Sequence, residues 1–200
     1  MVCAVGLQKL IKKTSIVEKY ILKIEPISKV EIVKRNTNLN QLSGLAPIED
    51  GDCRILILGT MPGVESLKQQ AYYANSRNLF WKLIAGVIGE TAPDNYEDKK
   101  VYLRRYKVAL WDMCQFCTRS GSLDSNISDE VPNDIKAFVA GHPHLKVIGC
   151  NGKESARMFR KYIVGIENVE FIPLPSTSPA NAGVSREKKV DAWHRLKEYM

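Results

Sequence analysis

The sequence predicts an α/β fold built on a parallel sheet with helices on both faces, and three observations carry that expectation. Four short apolar runs, at 54–58, 108–111, 145–149 and 169–172, have strand length and are rich in the branched residues of buried strands. Segments with helical periodicity separate them, and strands alternating with helices are the pattern of a parallel sheet wrapped on both sides. The chain has 200 residues, 44% of them hydrophobic, which suits one domain with a short appendage.

The elements follow in order. Residues 1–24 mix Leu, Ile, Val and Lys at partly helical spacing, Pro26 interrupts, and residues 29–33 alternate as a strand does. Residues 36–52 are polar and turn-rich and read as a linker. This divides the chain into a basic appendage over 1–50 and a folded domain over 51–200. After the first strand, a helix covers part of 63–71. A second runs over 78–88 with Leu79, Leu83, Ile84 and Val87 inward. Thr91 to Asn95 breaks the chain before a polar helix over 96–105. Residues 113–131, full of Ser, Asp and Gly, read as irregular. A helix over 133–141 leads to the third strand. Asn151 with Glu154 then forms a capping pair for a helix reaching about 163. The last helix, 185–199, buries Val190, Trp193 and Leu196. The sequence has no internal repeat and no low-complexity tract.

The net charge is +7, with a pI near 9.1. Residues 1–40 hold eight Lys or Arg against three Glu, so most of the excess lies there. Such a balance suits a polyanionic partner, because cations that meet phosphates release counterions. No apolar run reaches the ~18 residues of a membrane span, and no secretory segment opens the chain. Five cysteines at no secreted-framework spacing imply a reduced, intracellular protein, nuclear in a eukaryote and cytoplasmic in a bacterium. Cys114 and Cys117 leave three readings open. They are a redox dithiol, part of a zinc site with His142, His144 or Cys150, or a coincidence of spacing; neither functional signature is complete.

The most informative stretch is 54–81. Its strand breaks at Gly59-Thr60-Met61-Pro62-Gly63, where the backbone turns tightly beyond the carboxyl end of a strand, the place where α/β sheets bind ligands. Tyr72, Tyr73, Asn75, Arg77, Asn78, Phe80 and Trp81 follow. Flat rings beside amides and a cation suit a planar, hydrogen-bonding ligand such as a nucleobase. The same residues also fit an ordinary glycine turn followed by the apolar face of a helix.

This stretch resembles motif 1 of the uracil-DNA glycosylase superfamily, in its hypoxanthine-DNA glycosylase branch, through Gly59 to Gly63, Ser66-Leu67, Tyr72-Tyr73-Ala74, Arg77-Asn78 and Phe80-Trp81. Residues 174–181, Leu-Pro-Ser-Thr-Ser-Pro-Ala-Asn, resemble motif 2, and Leu110-Trp111-Asp112 and Gly121 to Ser125 resemble the segments between. The matches cover roughly residues 50–200. The resemblance implies a three-layer α/β/α fold with a four-stranded parallel sheet. It also implies a cofactor-free, metal-free monomer that hydrolyses the bond between a deaminated base and deoxyribose in DNA.

Met61 stands where related branches carry a catalytic Asn or Asp, and a thioether can neither activate nor orient water. The resemblance assigns catalysis to Asn78 instead; a helix N-cap is the competing reading. Gly59, Thr60, Met61, Pro62, Gly63, Tyr73 and Asn75 would surround the base, Tyr73 by stacking or, alternatively, as core beside Tyr72. Pro175, Ser176, Thr177, Ser178, Pro179 and Asn181 would contact DNA, with the tip 177–180 entering the groove left by the flipped base. Asp112 is either a water-binding carboxylate or, the reading favoured here, a loop anchor. A uracil or thymine specialist, and a lesion-binding module without turnover, remain alternatives.

Overall fold

The computed structural model describes residues 41–200. The expectations for 1–24, for 29–33 and for the first part of the linker lie outside the described residues. The central sheet has strands β2 (Ile55–Gly59), β3 (Val108–Asp112), β6 (Val147–Asn151) and β7 (Glu170–Leu174), all parallel, in the order β3-β2-β6-β7. A second sheet, β1 (Gln41–Ser43), β4 (Cys114–Thr118) and β5 (Ser128–Pro132), is antiparallel in the order β1-β4-β5. The helices are α1 (Val64–Gln69), α2 (Phe80–Ile88), α3 (Tyr96–Arg105), α4 (Ile135–Gly141), α5 (Lys153–Tyr162) and α6 (Arg186–His194).

The apolar run of β2 dictates the layering. Successive side chains of a strand point to opposite faces, and here both faces are covered. Ile55 and Ile57 join a core with Phe80, Leu83, Ile84 and Val87 of α2, Leu103 of α3 and Trp193 of α6. Leu56 and Leu58 join the other core, with Ile135 and Phe138 of α4 and Ala156, Met158 and Phe159 of α5. The expected three-layer plan with four parallel strands is the observed one. The spacing of Phe80, Leu83, Ile84 and Val87 gives α2 its buried stripe. Asn95 opens α3 by accepting from the backbone N–H groups of Glu97 and Asp98.

Four expectations need correction. Residues 113–131 are not irregular: they hold β4, a short 3-10 turn (Asp124–Asn126) and β5. Register shifts along the β4–β5 pair and the polar, exposed character of β5 erase the alternation that would mark them. The stretch read as linker is structured from residue 41. Gln41–Ser43 pairs with β4, and Ile48 is buried and bridges Leu110. Asn151 does not cap α5. It ends β6, while Gly152, with φ +117, occupies the cap position without a side-chain bond. The last helix also gives way to a 3-10 turn at Arg195.

Candidate active site

The parallel registers bring Asp112, Gly59, Asn151 and Leu174 to one edge of the sheet, at the carboxyl ends of its four strands. Above that edge lies a cleft of about 1080 Å³. Its walls include every residue that the resemblance assigns to catalysis, to the base or to DNA: the turn Gly59 to Gly63, Tyr73, Asn75 and Asn78 on one side, and Pro175 to Pro179 with Asn181 on the other. Two segments a hundred residues apart thus face the same space, because one leaves central strand β2 and the other leaves edge strand β7.

The turn after β2 is pinned from outside. Arg119 is buried and its guanidinium donates to the carbonyls of Met61 (3.2 Å) and Pro62. Thr60 Oγ1 donates to Asp124 Oδ2 at 2.8 Å, and the Val64 N–H, opening α1, donates to Ser122 Oγ at 2.9 Å. Met61 is itself buried in the core beside α5. Gly59 is obligatory for a different reason: a Cβ there would stand 2.2 Å from Asp112 Oδ1 and 3.2 Å from the Tyr73 hydroxyl.

Asn151 joins the two walls. Its Oδ1 accepts from the Thr177 N–H (3.0 Å), while Nδ2 donates to Thr177 Oγ1 (3.0 Å) and to the Tyr73 hydroxyl (2.8 Å). These bonds explain why Asn151 is not a cap: its amide is engaged by residues far away in the chain. Tyr73 has φ +53, and its ring stacks on Phe80 with centroids 4.0 Å apart. Burial raises the Tyr73 hydroxyl well above its ordinary pKa, so it stays protonated.

Asn78 and Asn75 both use their amide oxygens locally. Asn78 Oδ1 accepts from the Phe80 N–H at 3.0 Å, and Asn75 Oδ1 from the Arg77 N–H at 2.9 Å. Asn78 therefore does bind the first turn of α2, as the capping reading expects, with its Nδ2 as the donor left over. Thr177 is corrected: it is fully buried and tied to Asn151, so it supports the loop from beneath and is not at the tip. Pro179 and Ala180 are the exposed residues there. Asn181 Nδ2 donates to the Ser176 carbonyl, and buried Lys189 donates to the Asn181 carbonyl at 2.8 Å. Burial depresses the pKa of that lysine.

Asp112 lies at the same sheet edge, paired in register with Gly59. It is only 3% exposed, and its Oδ2 has no hydrogen-bond partner among the described residues. Desolvation, with a further push from Asp124 against a smaller pull from Arg119, raises its pKa to about 8. Its carboxyl group is not a loop anchor; the Asp112 backbone carbonyl does that work by accepting from Asn133 Nδ2. Asp124, also raised chiefly by desolvation, and Arg119 had no sequence-derived role. Leu110-Trp111-Asp112 and Gly121 to Ser125, which resemble segments of the family, are the signal in the sequence that points toward Asp112 and Asp124.

The cysteine readings separate here. Cys114 and Cys117 are buried, and burial pushes the Cys114 thiol up to about 12 and raises that of Cys117, which suppresses thiolate chemistry. Among the described residues no three His, Cys, Asp or Glu side chains converge. His142 is instead bonded to the Phe138 carbonyl and Glu49.

Comparisons with known proteins bear on this arrangement. The profile of the Uracil DNA glycosylase superfamily matches residues 47–197. A hypoxanthine DNA glycosylase of Methanosarcina acetivorans is 36% identical over 147 residues, spanning 73% of this chain and 92% of that protein. Its counterpart from Methanosarcina barkeri is 37% identical over the same span. A solution NMR structure of a candidate uracil DNA glycosylase from Methanosarcina acetivorans superposes with a TM-score of 0.69 at 34% identity, covering 78% of this chain and 96% of that one. With its strand order, its two-walled cleft and these relatives in agreement, the chain belongs to the uracil DNA glycosylase superfamily.

Proposed function

We propose that the protein is a monofunctional DNA glycosylase that hydrolyses the N-glycosidic bond of deaminated bases, hypoxanthine foremost, in base excision repair. The observation that carries this reading is the cleft itself, which gathers both motif segments around a stacking ring and a buried, unpartnered carboxyl group. The two relatives named as hypoxanthine DNA glycosylases support the choice of base.

The chemistry follows from what each residue offers. A target base leaves the duplex stack at a cost of a few kcal/mol and enters the cleft. Phe80 backs one face of the Tyr73 ring, and the base stacks on the other. Asn78 Nδ2 orients the attacking water or the departing base; its contribution is positional and electrostatic, since an amide is no Brønsted base. Asp112, neutral below about pH 8, donates a hydrogen bond to the base, an interaction that strengthens as negative charge grows on the leaving group. Water adds at C1′, the C–N bond breaks, and the base departs with the proton, so no cofactor enters. Ser176, Ser178 and the backbone of 175–181 hold phosphates.

The protein acts as a monomer wherever the DNA is, the nucleus in a eukaryote or the cytoplasm in a bacterium, and the basic segment 1–40 adds sequence-independent affinity. Among the described residues no helix is long and apolar enough to cross a membrane. Duplexes carrying a single deoxyinosine or deoxyuridine, treated with alkali after incubation, test the proposal. Strand breaks at deoxyinosine are expected. Retarded mobility without breaks would instead mean a lesion-binding module, which buried Met61 at the usual catalytic position would favour.

A further inference from the structure

Five large hydrophobic side chains are exposed among the described residues, and two of them, Val64 and Leu123, each 53% exposed, line the mouth of the cleft. They belong to neighbouring segments, since the Val64 N–H donates to Ser122 Oγ. Leu123 is presented rigidly. Ser122 on one side is tied to α1, and Asp124 on the other is tied to Thr60. The Asn126 N–H closes the 3-10 turn on the Leu123 carbonyl, and Asn126 Nδ2 donates to the Ser120 carbonyl. An exposed leucine with a pinned backbone on both sides is not the profile of a slack loop.

The facing rim is chemically different. Ser176 and Ser178 are hydroxylic, Thr177 is buried, and the exposed tip consists of Pro179 and Ala180. Proteins that unstack a duplex insert an apolar side chain between the bases. Pro179 and Ala180 offer a shorter apolar side chain than leucine does.

We propose that Leu123, flanked by Val64, is the wedge that enters the duplex and fills the space left by the flipped base, while the loop 175–181 grips the backbone from the other rim. This rests on the glycosylase reading above. It assigns Leu123 a positioning role that depends on base stacking, so its contribution vanishes where there is no duplex.

The test compares single-turnover excision of hypoxanthine from duplex and from single-stranded oligonucleotides by the full chain. Leu123→Ala should slow duplex excision about tenfold or more, the order expected from truncating a Leu-sized apolar contact. Single-strand excision should stay within about twofold, and Leu123→Met should restore most of the duplex rate. Val101→Ala, at an exposed valine away from the cleft, controls for surface truncation. Equal losses on both substrates, or no loss on either, would overturn the wedge while leaving the glycosylase reading intact. So would a wild-type protein active on single strands alone. A wild-type protein inactive on both would remove the parent reading and the wedge with it.

Discussion

Replacing Asp112 by Asn tests whether a carboxyl group is held neutral on the floor of the cleft. The folded pKa is about 8 against an ordinary value of 3.8. Below 3.8 both folded and unfolded chains carry the proton. Between 3.8 and 8 the unfolded chain loses it while the folded chain keeps it, so stability falls as pH rises through this window and levels off above it. Each pH unit costs at most ~1.4 kcal/mol, so by pH 7 the ceiling is ~4 kcal/mol. Asn matches the neutral carboxyl in shape and keeps a donor, so it escapes the penalty. Urea denaturation at pH 5, 6, 7 and 8 should show wild type losing stability relative to Asp112→Asn, the gap opening steadily toward pH 8. Excision should show the same group from the other side, wild type declining above about pH 8 and the Asn variant holding its rate. Parallel stability curves for the two proteins would refute the argument, because an ionised Asp112 with an ordinary pKa contributes no slope in this range.

Three further outcomes are expected. Asn78→Ala should slow single-turnover excision by ~10²–10³, the usual loss on removing a positioned donor, and should also lower stability by ~1 kcal/mol through the lost bond to Phe80. Loss of stability with a near-normal rate in the folded fraction, with Asn78→Asp keeping both stability and rate, would leave Asn78 as a cap alone. Tyr73→Ala should weaken binding of lesion DNA by ~1–3 kcal/mol in an electrophoretic titration, whereas Tyr73→Phe should keep the stacking and lose ~1 kcal/mol of stability because Asn151 loses an acceptor. Deleting residues 1–40, with their eight cations against three anions, should reduce nonspecific DNA affinity and flatten its dependence on salt while excision persists.

What the sequence made legible was whatever a local pattern encodes. The run Ile55-Leu56-Ile57-Leu58 announced a strand buried on both faces, and both faces are buried. The spacing of Leu83, Ile84 and Val87 announced the inner stripe of α2. Both walls of the cleft were named before their meeting could be seen. What stayed hidden depends on partners distant in the chain. Asn151 carried a local capping signal, but bonds to residues 26 and 78 positions away took its amide instead. Strand β5 is made of Ser, Asp, Glu, Val and Pro, and only pairing with β4 makes it a strand. Asp112 looked like any loop carboxylate; its burial, which decides its protonation, is a property of the assembled core.

The amide of Asn151 has a consequence for motion. One side chain holds Tyr73 and Thr177 at once, and the Thr177 carbonyl in turn accepts the Leu79 N–H at 3.1 Å, just before α2 begins. The Tyr73 ring and the loop 175–181 therefore share one rivet, and neither can swing open alone without stranding buried polar groups. Hydrogen exchange reads such coupling directly: the Thr177 amide, although in a loop, should exchange as slowly as the amides of β2, by the same opening event. A protein built this way meets its substrate with the cleft already shaped, and the bending and unstacking needed to bring a base into it fall to the DNA.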